Sequence, residues 1–431
     1  MAAGLGQRKA ASLSHIGGVV IWAIFSCLGV SASPPRHLGE NFVAAFMQNE
    51  LQRSLQSDFK LLLTARSPGT SVTVSMKTPG LRMTVRTGAG QPVLVKIPPQ
   101  AEMVGSKPFG NAVAVRASGA VAAVMVNEKR DSADAAALHP VRAWGTEYRV
   151  VTPNVGTERY GQFAVVAWDE PTEVEVHLKA AVTFQGRSYP RGAVLRIPLE
   201  PFEAAQLQSP ADMSGTKLLP VSAWGKTFIV PPLPFETQSD IVYVSTAQPA
   251  HVESQHGAAK TARKLRPNRS TLYGLQASNA LTLNADAGVQ VVFFADGGNK
   301  GAVSYDPFFM SIPDVSSYCD SYSVVALDGY DNYAMLVAKS SETSGLTLDK
   351  KPLGDVEWKP VPGTGYSWAG LSLGDKFGVR KVEHQTAPFG LLGVGVRNGK
   401  SYGMAGLCDS GEWHPVTSLV ARPPKVPPEP N

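Results

Sequence analysis

The chain has 431 residues, of which 43% are hydrophobic and 17% charged, with 41 glycines and 33 prolines. That length exceeds what one hydrophobic core usually serves, so we expect more than one domain. A formal net charge of +5 excludes a global field strong enough to bind nucleic acid, and the many glycines and prolines favour β-structure with frequent turns.

The first 32 residues have the pattern of a secretory signal peptide. Arg8 and Lys9 precede an apolar run at 16–30, and small residues up to Ala32 suit a signal peptidase. The run is shorter than the roughly 20 residues that cross a bilayer. We therefore predict a signal peptide at 1–32 and a secreted, extracellular protein with no membrane span in its mature chain. An uncleaved anchor is the alternative.

Most of the remaining chain predicts β-strands. Segments such as SVTVSMK (71–77) and TEVEVHLK (172–179) alternate apolar and polar residues, as half-buried antiparallel strands do. The wholly apolar runs AVAAVMV (120–126) and VQVVFFA (289–295) predict inner strands that are covered on both faces. Glycine-rich turn signals separate the strands at short intervals, which is typical of sandwiches. The predicted fold class is all-β.

An eleven-residue segment occurs twice. PVRAWGTEYRV at 140–150 returns 80 residues later as PVSAWGKTFIV, with six identical positions. After each copy the same succession of predicted strands and turns follows, and a copy without tryptophan precedes them. We predict that Trp144-Gly145 and Trp224-Gly225 are a structural repeat that seals junctions between neighbouring units. An aromatic ligand platform is the alternative.

The repeat divides the mature chain into four predicted β units and a tail. Their bounds are 33–139, 140–219, 220–312 and 313–410, and a proline-rich tail follows at 411–431. We expect tandem antiparallel β-sandwich-like repeat units. A β-propeller is the alternative, because copied antiparallel units can also close into a ring.

The cysteines and one asparagine carry signals of an extracellular protein. Cys27 leaves with the signal peptide, so Cys319 and Cys408 remain and should pair in an oxidising compartment. Two free buried thiols are the alternative. The sequence NRS predicts N-glycosylation at Asn268.

A basic run at 260–269 contains five cations and no acid. They are Lys260, Arg263, Lys264, Arg266 and Arg269. The run lacks interleaved aromatic residues, so a solvated loop is the favoured interpretation and a polyanion contact is the alternative.

The sequence contains no set of residues from which we infer a catalytic centre. GKSYG at 399–403 fits the letters of a nucleophile elbow, but that motif needs an α/β sheet. His251 and His256 lie five residues apart, so they do not share one face of a strand, and no further ligand completes a metal set. We expect no enzyme activity, no cofactor and no metal.

Several segments in order resemble the N-terminal domain of the IgG Fc-binding protein family found in mucus. They are GENFVAAFMQN (39–49), PVRAWGTEYRVVTPN (140–154), YGQFAVVAWDEPTEVEV (160–176), FEAAQLQSPADMSGTKL (202–218) and APFGLLGVGVRNGKSYGMAGL (387–407). The resemblance covers about 39–408 and implies a secreted β-rich binding module of innate defence, associated with capture of the immunoglobulin Fc part. No binding residue of the family is carried over to a position in this chain.

The leading hypothesis is therefore a secreted, non-enzymatic binding protein that recognises protein or glycan partners in mucus or the extracellular space. One alternative is a carbohydrate-binding or carbohydrate-acting protein with a cleft lined by Trp144, Trp168 and Trp224. Another alternative is a structural matrix component.

Overall fold

The structure is a computed structural model. It describes residues 37–49, 57–65, 67–88, 92–130, 132–152, 160–211, 213, 224–235, 239–267, 269–301 and 303–408. These residues all belong to one compact unit, Ser33–Asn431. The predicted signal peptide, Asn268 and the predicted tail lie outside the described residues. Within the described ranges no α-helix occurs, and no helix is long and apolar enough to span a membrane.

The first group has ten strands, of which seven form one sheet. Its strands are β1 Gly39–Ala44, β2 Phe46–Met47, β3 Asp58–Ala65, β4 Ser71–Met76, β5 Leu81–Arg86, β6 Val93–Ile97, β7 Glu102–Met103, β8 Lys107–Phe109, β9 Val113–Glu128 and β10 Ala133–Ala137. The sheet order is β5-β4-β9-β3-β6, and β1 and β10 also pair with β9. Alternate residues of β4 are buried, as the sequence predicts, and they pack against those of β3 and β9.

The second group is smaller and encloses its own core. Its strands are β11 Gly161–Val166, β12 Thr172–His177, β13 Val182–Phe184, β14 Arg187–Tyr189, β15 Val194–Leu199 and β16 Ala204–Ser209. Strand β16 lies between β11 and β8, while β12 pairs with β15 and β13 with β14. Strand β8 therefore joins the second group to the first.

The third group repeats the strand order of the first. Its strands are β17 Gly225–Val230, β18 Ser239–Thr246, β19 Ala250–His256, β20 Ala259–Leu265, β21 Ser270–Gln276, β22 Leu281–Ala295, β23 Gly298–Lys300, β24 Val303–Tyr305 and β25 Phe308–Ser311. The order is β20-β19-β22-β18-β21, with β17 and β25 on β22. The long strands β9 and β22 contain the two apolar runs that the sequence predicts as inner strands, and both lie inside their sheets.

The fourth group is a sandwich of two five-stranded sheets. Its strands are β26 Ser321–Ala326, β27 Asp331–Lys339, β28 Leu346–Leu348, β29 Lys351–Pro352, β30 Lys359–Val361, β31 Tyr366–Gly374, β32 Gly378–His384, β33 Gly390–Arg397, β34 Lys400–Ala405 and β35 Leu407–Cys408. The orders are β29-β28-β32-β26-β35 and β30-β31-β27-β33-β34. The predicted all-β fold of tandem antiparallel sandwich-like units is confirmed.

The likeness of the first and third groups extends to one glycine. Gly39 pairs with Val121 and Gly225 with Val289, and in both strands the register shifts directly after the glycine. A Cβ on Gly39 would collide with Pro140, and a Cβ on Gly225 would collide with Asp314. Pro140 and Asp314 each cap a 3-10 turn that follows the last strand of their group. Both glycines thus let the exit segment of a group pack on its entry strand.

The sequence predicts four copies of one unit. In the described residues only the first and third groups share a strand order, and the second and fourth groups have other orders. The unit boundaries themselves remain a prediction.

We expect Gly225→Ala to lower the free energy of unfolding by about 1 to 3 kcal/mol, because the new methyl group must displace the Asp314 carboxylate. That carboxylate accepts hydrogen bonds from the backbone N–H groups of Lys226 (2.7 Å) and Thr227 (2.8 Å). Urea titration followed by tryptophan fluorescence measures the change. Gly274→Ala on β21 is the matched control, because no atom lies within 4 Å of its added methyl. Equal effects of the two variants would contradict the steric account.

The fourth group packs on the first through an apolar cluster and a buried ionic network. The cluster joins Leu62 and Val124 to Val325 and Tyr402, among others. At its border the Glu128 carboxylate accepts hydrogen bonds from Lys400 Nζ at 2.6 Å and Lys60 Nζ at 2.9 Å.

The Glu128 carboxyl responds to both its burial and its partners. Burial raises its pKa, but the hydrogen bonds from Lys400 and Lys60 outweigh burial, so the pKa lies below its ordinary value of 4.5. The carboxylate is therefore ionised at neutral pH and needs its cations.

Candidate binding site

The first tryptophan–glycine pair lies where the first and second groups meet. Trp144 packs in an apolar cluster with Val43, Met103 and Ala204, and its indole Nε1 donates to the His139 carbonyl at 3.2 Å. The preceding residues form the 3-10 turn Val141–Ala143. This placement agrees with a sealing role at a junction.

The second pair has a different local structure. Gly225 opens strand β17, and half-buried Trp224 lies beside Gly288 of β22. Strand β17 forms because β22 pairs with it, whereas no strand follows Trp144 among the described residues before β11. The identical letters therefore do not produce identical backbones, and the role of both pairs as a structural repeat remains a prediction.

A half-buried aromatic surface lies at the same junction. It consists of Arg116 on β9, Trp168 and Asp169 after β11, and Phe202 before β16, and we call these four residues the Arg116 surface. The Arg116 guanidinium carbon lies 5.0 Å from the ring centroid of Trp168 and 5.3 Å from that of Phe202. The two rings meet edge to face at 5.2 Å. Arg116 also lies 3.7 Å from the Asp169 carboxylate, and its side chain is 52% exposed.

The local backbone holds this surface in place. Phe202 has a φ of 61°, a left-handed conformation that costs a bulky residue about 1 kcal/mol or more. Its N–H donates to the Trp168 carbonyl at 2.8 Å, and the Ala167 N–H donates to the Glu203 carbonyl at 2.9 Å. These bonds tie the end of β11 to the turn before β16. The indole and the phenyl ring are therefore presented to Arg116 by a fixed frame.

The structure brings together some of the predicted tryptophans and separates others. Trp144 and Trp168 share the cluster at the first junction, and Trp224 lies in the third group outside it. The sequence does not single out Arg116 or Phe202, because they come from separate segments and carry no motif. Arginine and tryptophan are enriched among the residues that dominate protein interfaces.

A cleft of about 440 Å³ lies on the second group, lined by Ser106, Tyr160, Thr183, Gly186, Gln208 and Pro210. Tyr160 is 47% exposed. The Gln208 amide donates to the side-chain oxygens of Gln48 and Gln162, at 3.0 Å each. Among these described lining residues there is no carboxylate, histidine or cysteine.

The basic run is mainly a strand and not the expected loop. Lys260, Arg263 and Lys264 belong to β20, an edge strand whose side chains are exposed except for Leu265. Arg266 and Arg269 lie in the connection to β21, and both are exposed.

Arg263 is engaged within the protein. Its guanidinium donates to the Leu272 carbonyl at 3.0 Å and lies 4.8 Å from the Tyr273 ring centroid. Burial raises the pKa of the Tyr273 hydroxyl, and the Arg263 cation opposes that rise.

The predicted disulfide between Cys319 and Cys408 is confirmed. It links residues 89 positions apart, and both cysteines are buried. His251 and His256 both lie on β19, and His256 Nε2 is 3.1 Å from the Asn279 carbonyl oxygen. Within the residues that the structure describes, no cluster of three histidine, cysteine or acidic side chains could hold a metal ion.

Comparison with known proteins points to a family named for binding. The family model described as IgGFc binding protein matches residues 134–218 and 216–395. The chain therefore belongs to this family. A curated relative is the IgGFc-binding protein of Homo sapiens, which is 34% identical over 408 residues. The match covers 88% of this chain and 8% of the human protein, so the chain spans a small part of that relative.

One solved structure is similar at a much lower level. It is the major pilin from Streptococcus pyogenes in a mutant form, with 7% identity, 85% coverage of this chain and 98% coverage of the pilin chain. Its TM-score of 0.15 carries no argument about the fold.

Proposed function

We propose that the chain is a secreted, non-enzymatic binding module of mucus or the extracellular space, and that it contacts a protein partner through the Arg116 surface. The immunoglobulin Fc part is the partner to test first. The observation that carries the proposal is membership of the IgGFc-binding protein family, whose match at 134–218 includes Trp168 and Phe202.

The chemistry of the Arg116 surface supports this choice. An arginine stacked on aromatic rings offers a large contact area at a low entropic cost, because the side chains are already ordered. Arg116 is half exposed, so its guanidinium still has donors for a partner. The two alternatives from the sequence, a carbohydrate-acting protein and a matrix component, have less support. The described lining of the cleft has no catalytic acid, and the family is named for binding a protein.

The test is the affinity of the mature chain for immobilised human Fc, measured by biolayer interferometry with Fab as the negative ligand. We expect Arg116→Ala to weaken Fc binding by about 30-fold, as loss of an interface hot spot does. Trp168→Ala should weaken it at least as much, provided that circular dichroism shows an intact fold. Lys359→Ala is the matched control, because Lys359 lies over the Trp368 ring at 5.2 Å in the fourth group.

If the Arg116→Ala and Lys359→Ala variants bind Fc equally tightly, the Arg116 surface is not the contact site. Absence of Fc binding by the unaltered chain at micromolar concentration would refute Fc as the partner.

A further inference from the structure

The net charge of the chain is concentrated in one hairpin of the third group. Residues 250–269, which span β19, β20 and the connection after them, contain five cations and a single acid, Glu253, so their net charge is 5 − 1 = +4. The whole chain has a formal net charge of +5. All the other residues of the chain together therefore have a formal net charge of 5 − 4 = +1.

The five cations of β20 and its connection, which we call the basic strand, have no compensating partner among the described residues. None of them has a described carboxylate within 4.0 Å. The antiparallel pair of β12 and β15, by contrast, has cations that are matched by acids. There Arg196 lies 3.2 Å from Glu173 and 3.1 Å from Glu175. Like charges in a row repel one another, so an anionic ligand would stabilise the basic strand.

The strand geometry makes the row linear. Lys260 pairs with Gln255 and Lys264 with His251, so both lysines lie on one face of the hairpin. At about 3.3 Å per residue, the distance along the backbone is about 13 Å between the lysines and about 20 Å from Lys260 to Arg266. An extended chain with repeated negative groups matches such a row.

The position of Arg263 favours a sulfated polysaccharide over an acidic peptide as the extended anion. An acidic peptide would dock by adding a strand to the edge of β20. The Arg263 side chain reaches from β20 to the Leu272 carbonyl of β21, the opposite edge strand of the same sheet, and so lies across the space that an added strand needs. A sulfated polysaccharide needs only the side-chain cations and no backbone edge.

We propose that the basic strand binds a linear sulfated polysaccharide, with Lys260, Lys264, Arg266 and Arg269 contacting its sulfate groups and Arg263 holding β20 against β21. This site is separate from the Arg116 surface. The choice of a polysaccharide rests on the proposed extracellular location, but the binding itself is independent of Fc recognition.

The test uses immobilised heparin as the sulfated probe, with the full mature chain carrying Asn268→Gln so that a glycan beside the basic strand cannot interfere. We expect Lys260→Gln/Lys264→Gln to weaken heparin binding about tenfold or more at 0.15 M salt and to make the binding less sensitive to salt. Lys351→Gln/Lys376→Gln is the matched control, because it removes two exposed charges from the fourth group. That control should bind heparin like the parent.

Three results would overturn the proposal. The first is equal weakening by both lysine pairs, which would show a general charge effect. The second is unchanged binding of desulfated heparin. The third is binding of poly-glutamate as tight as that of heparin. Fc affinity measured on the same variants separates this proposal from the proposed function, because neither lysine pair belongs to the Arg116 surface.

Discussion

Replacing Lys400 by methionine is expected to lower the free energy of unfolding by up to about 3 to 5 kcal/mol, the cost of an uncompensated buried charge, because the Glu128 carboxylate loses its shortest ion pair and keeps Lys60 as its other hydrogen-bonded cation. Both side chains are only 11% exposed, and the Nζ–Oε1 distance is 2.6 Å. Methionine keeps most of the volume of the lysine stem, so the loss of charge is the main change. Urea unfolding at neutral pH measures the effect.

Lys381→Met is the matched control for this charge loss. Lys381 lies 2.7 Å from Glu383, but its side chain is 46% exposed. Ion pairs in that setting contribute about 1 kcal/mol or less. A Lys400→Met variant that is no less stable than Lys381→Met would show that the network does not hold the first and fourth groups together.

The pH dependence of the same network has a definite sign. The pKa of Glu128 lies below 4.5 in the folded chain, so its contribution to stability is present above about 4.5 and is lost as the pH falls through the folded pKa. The difference in unfolding free energy between the parent and Glu128→Gln should therefore narrow in acid. A difference that stays constant from pH 7 to pH 3 would contradict the assignment.

Removal of the disulfide is the second change with a large expected effect. Cys319→Ser/Cys408→Ser should lower the free energy of unfolding by up to about 4 to 5 kcal/mol, because the unfolded chain regains the entropy of a closed loop. The two cysteines are 89 residues apart, and Cys408 belongs to β35, which pairs with β26 at the start of the fourth group. Thermal unfolding with and without a reductant measures the loss.

The double serine variant is the control for effects of the reductant other than cleavage of this disulfide. A reductant should destabilise the parent and leave the double variant unchanged. Equal destabilisation of both proteins would mean that the reductant acts somewhere other than this bond.

The sequence predicts much of the fold because a strand with a buried face shows a characteristic pattern of apolar and polar residues. The alternation in β4 and β12 and the apolar runs inside β9 and β22 are local signals, and each corresponds to a strand. The run that contains β20 lacks interleaved aromatic residues, so the sequence favours a loop there. In the structure neither face of β20 is buried before Leu265. Its extended structure comes from pairing with β19, which residue patterns do not show.

The candidate site was less predictable for a related reason. Trp168 could be singled out as a tryptophan, but Arg116 and Phe202 become neighbours only when the first and second groups pack together. The same holds for Glu128 and Lys400, which are 272 positions apart in the sequence. Such contacts depend on tertiary structure, and the spacing of residues in the sequence does not predict them.

The pairing of Glu128 with Lys400 can form only late in the synthesis of the chain. The two residues are 272 positions apart, so at about 5 to 20 residues per second a ribosome needs roughly 15 to 55 s to deliver the lysine after the glutamate. During that interval Glu128 has Lys60 as a partner, but the apolar face of the first group that contains Leu62 and Val124 has no cover from the fourth group. A chaperone that shields this face until translation ends would suit the order in which the polypeptide is made.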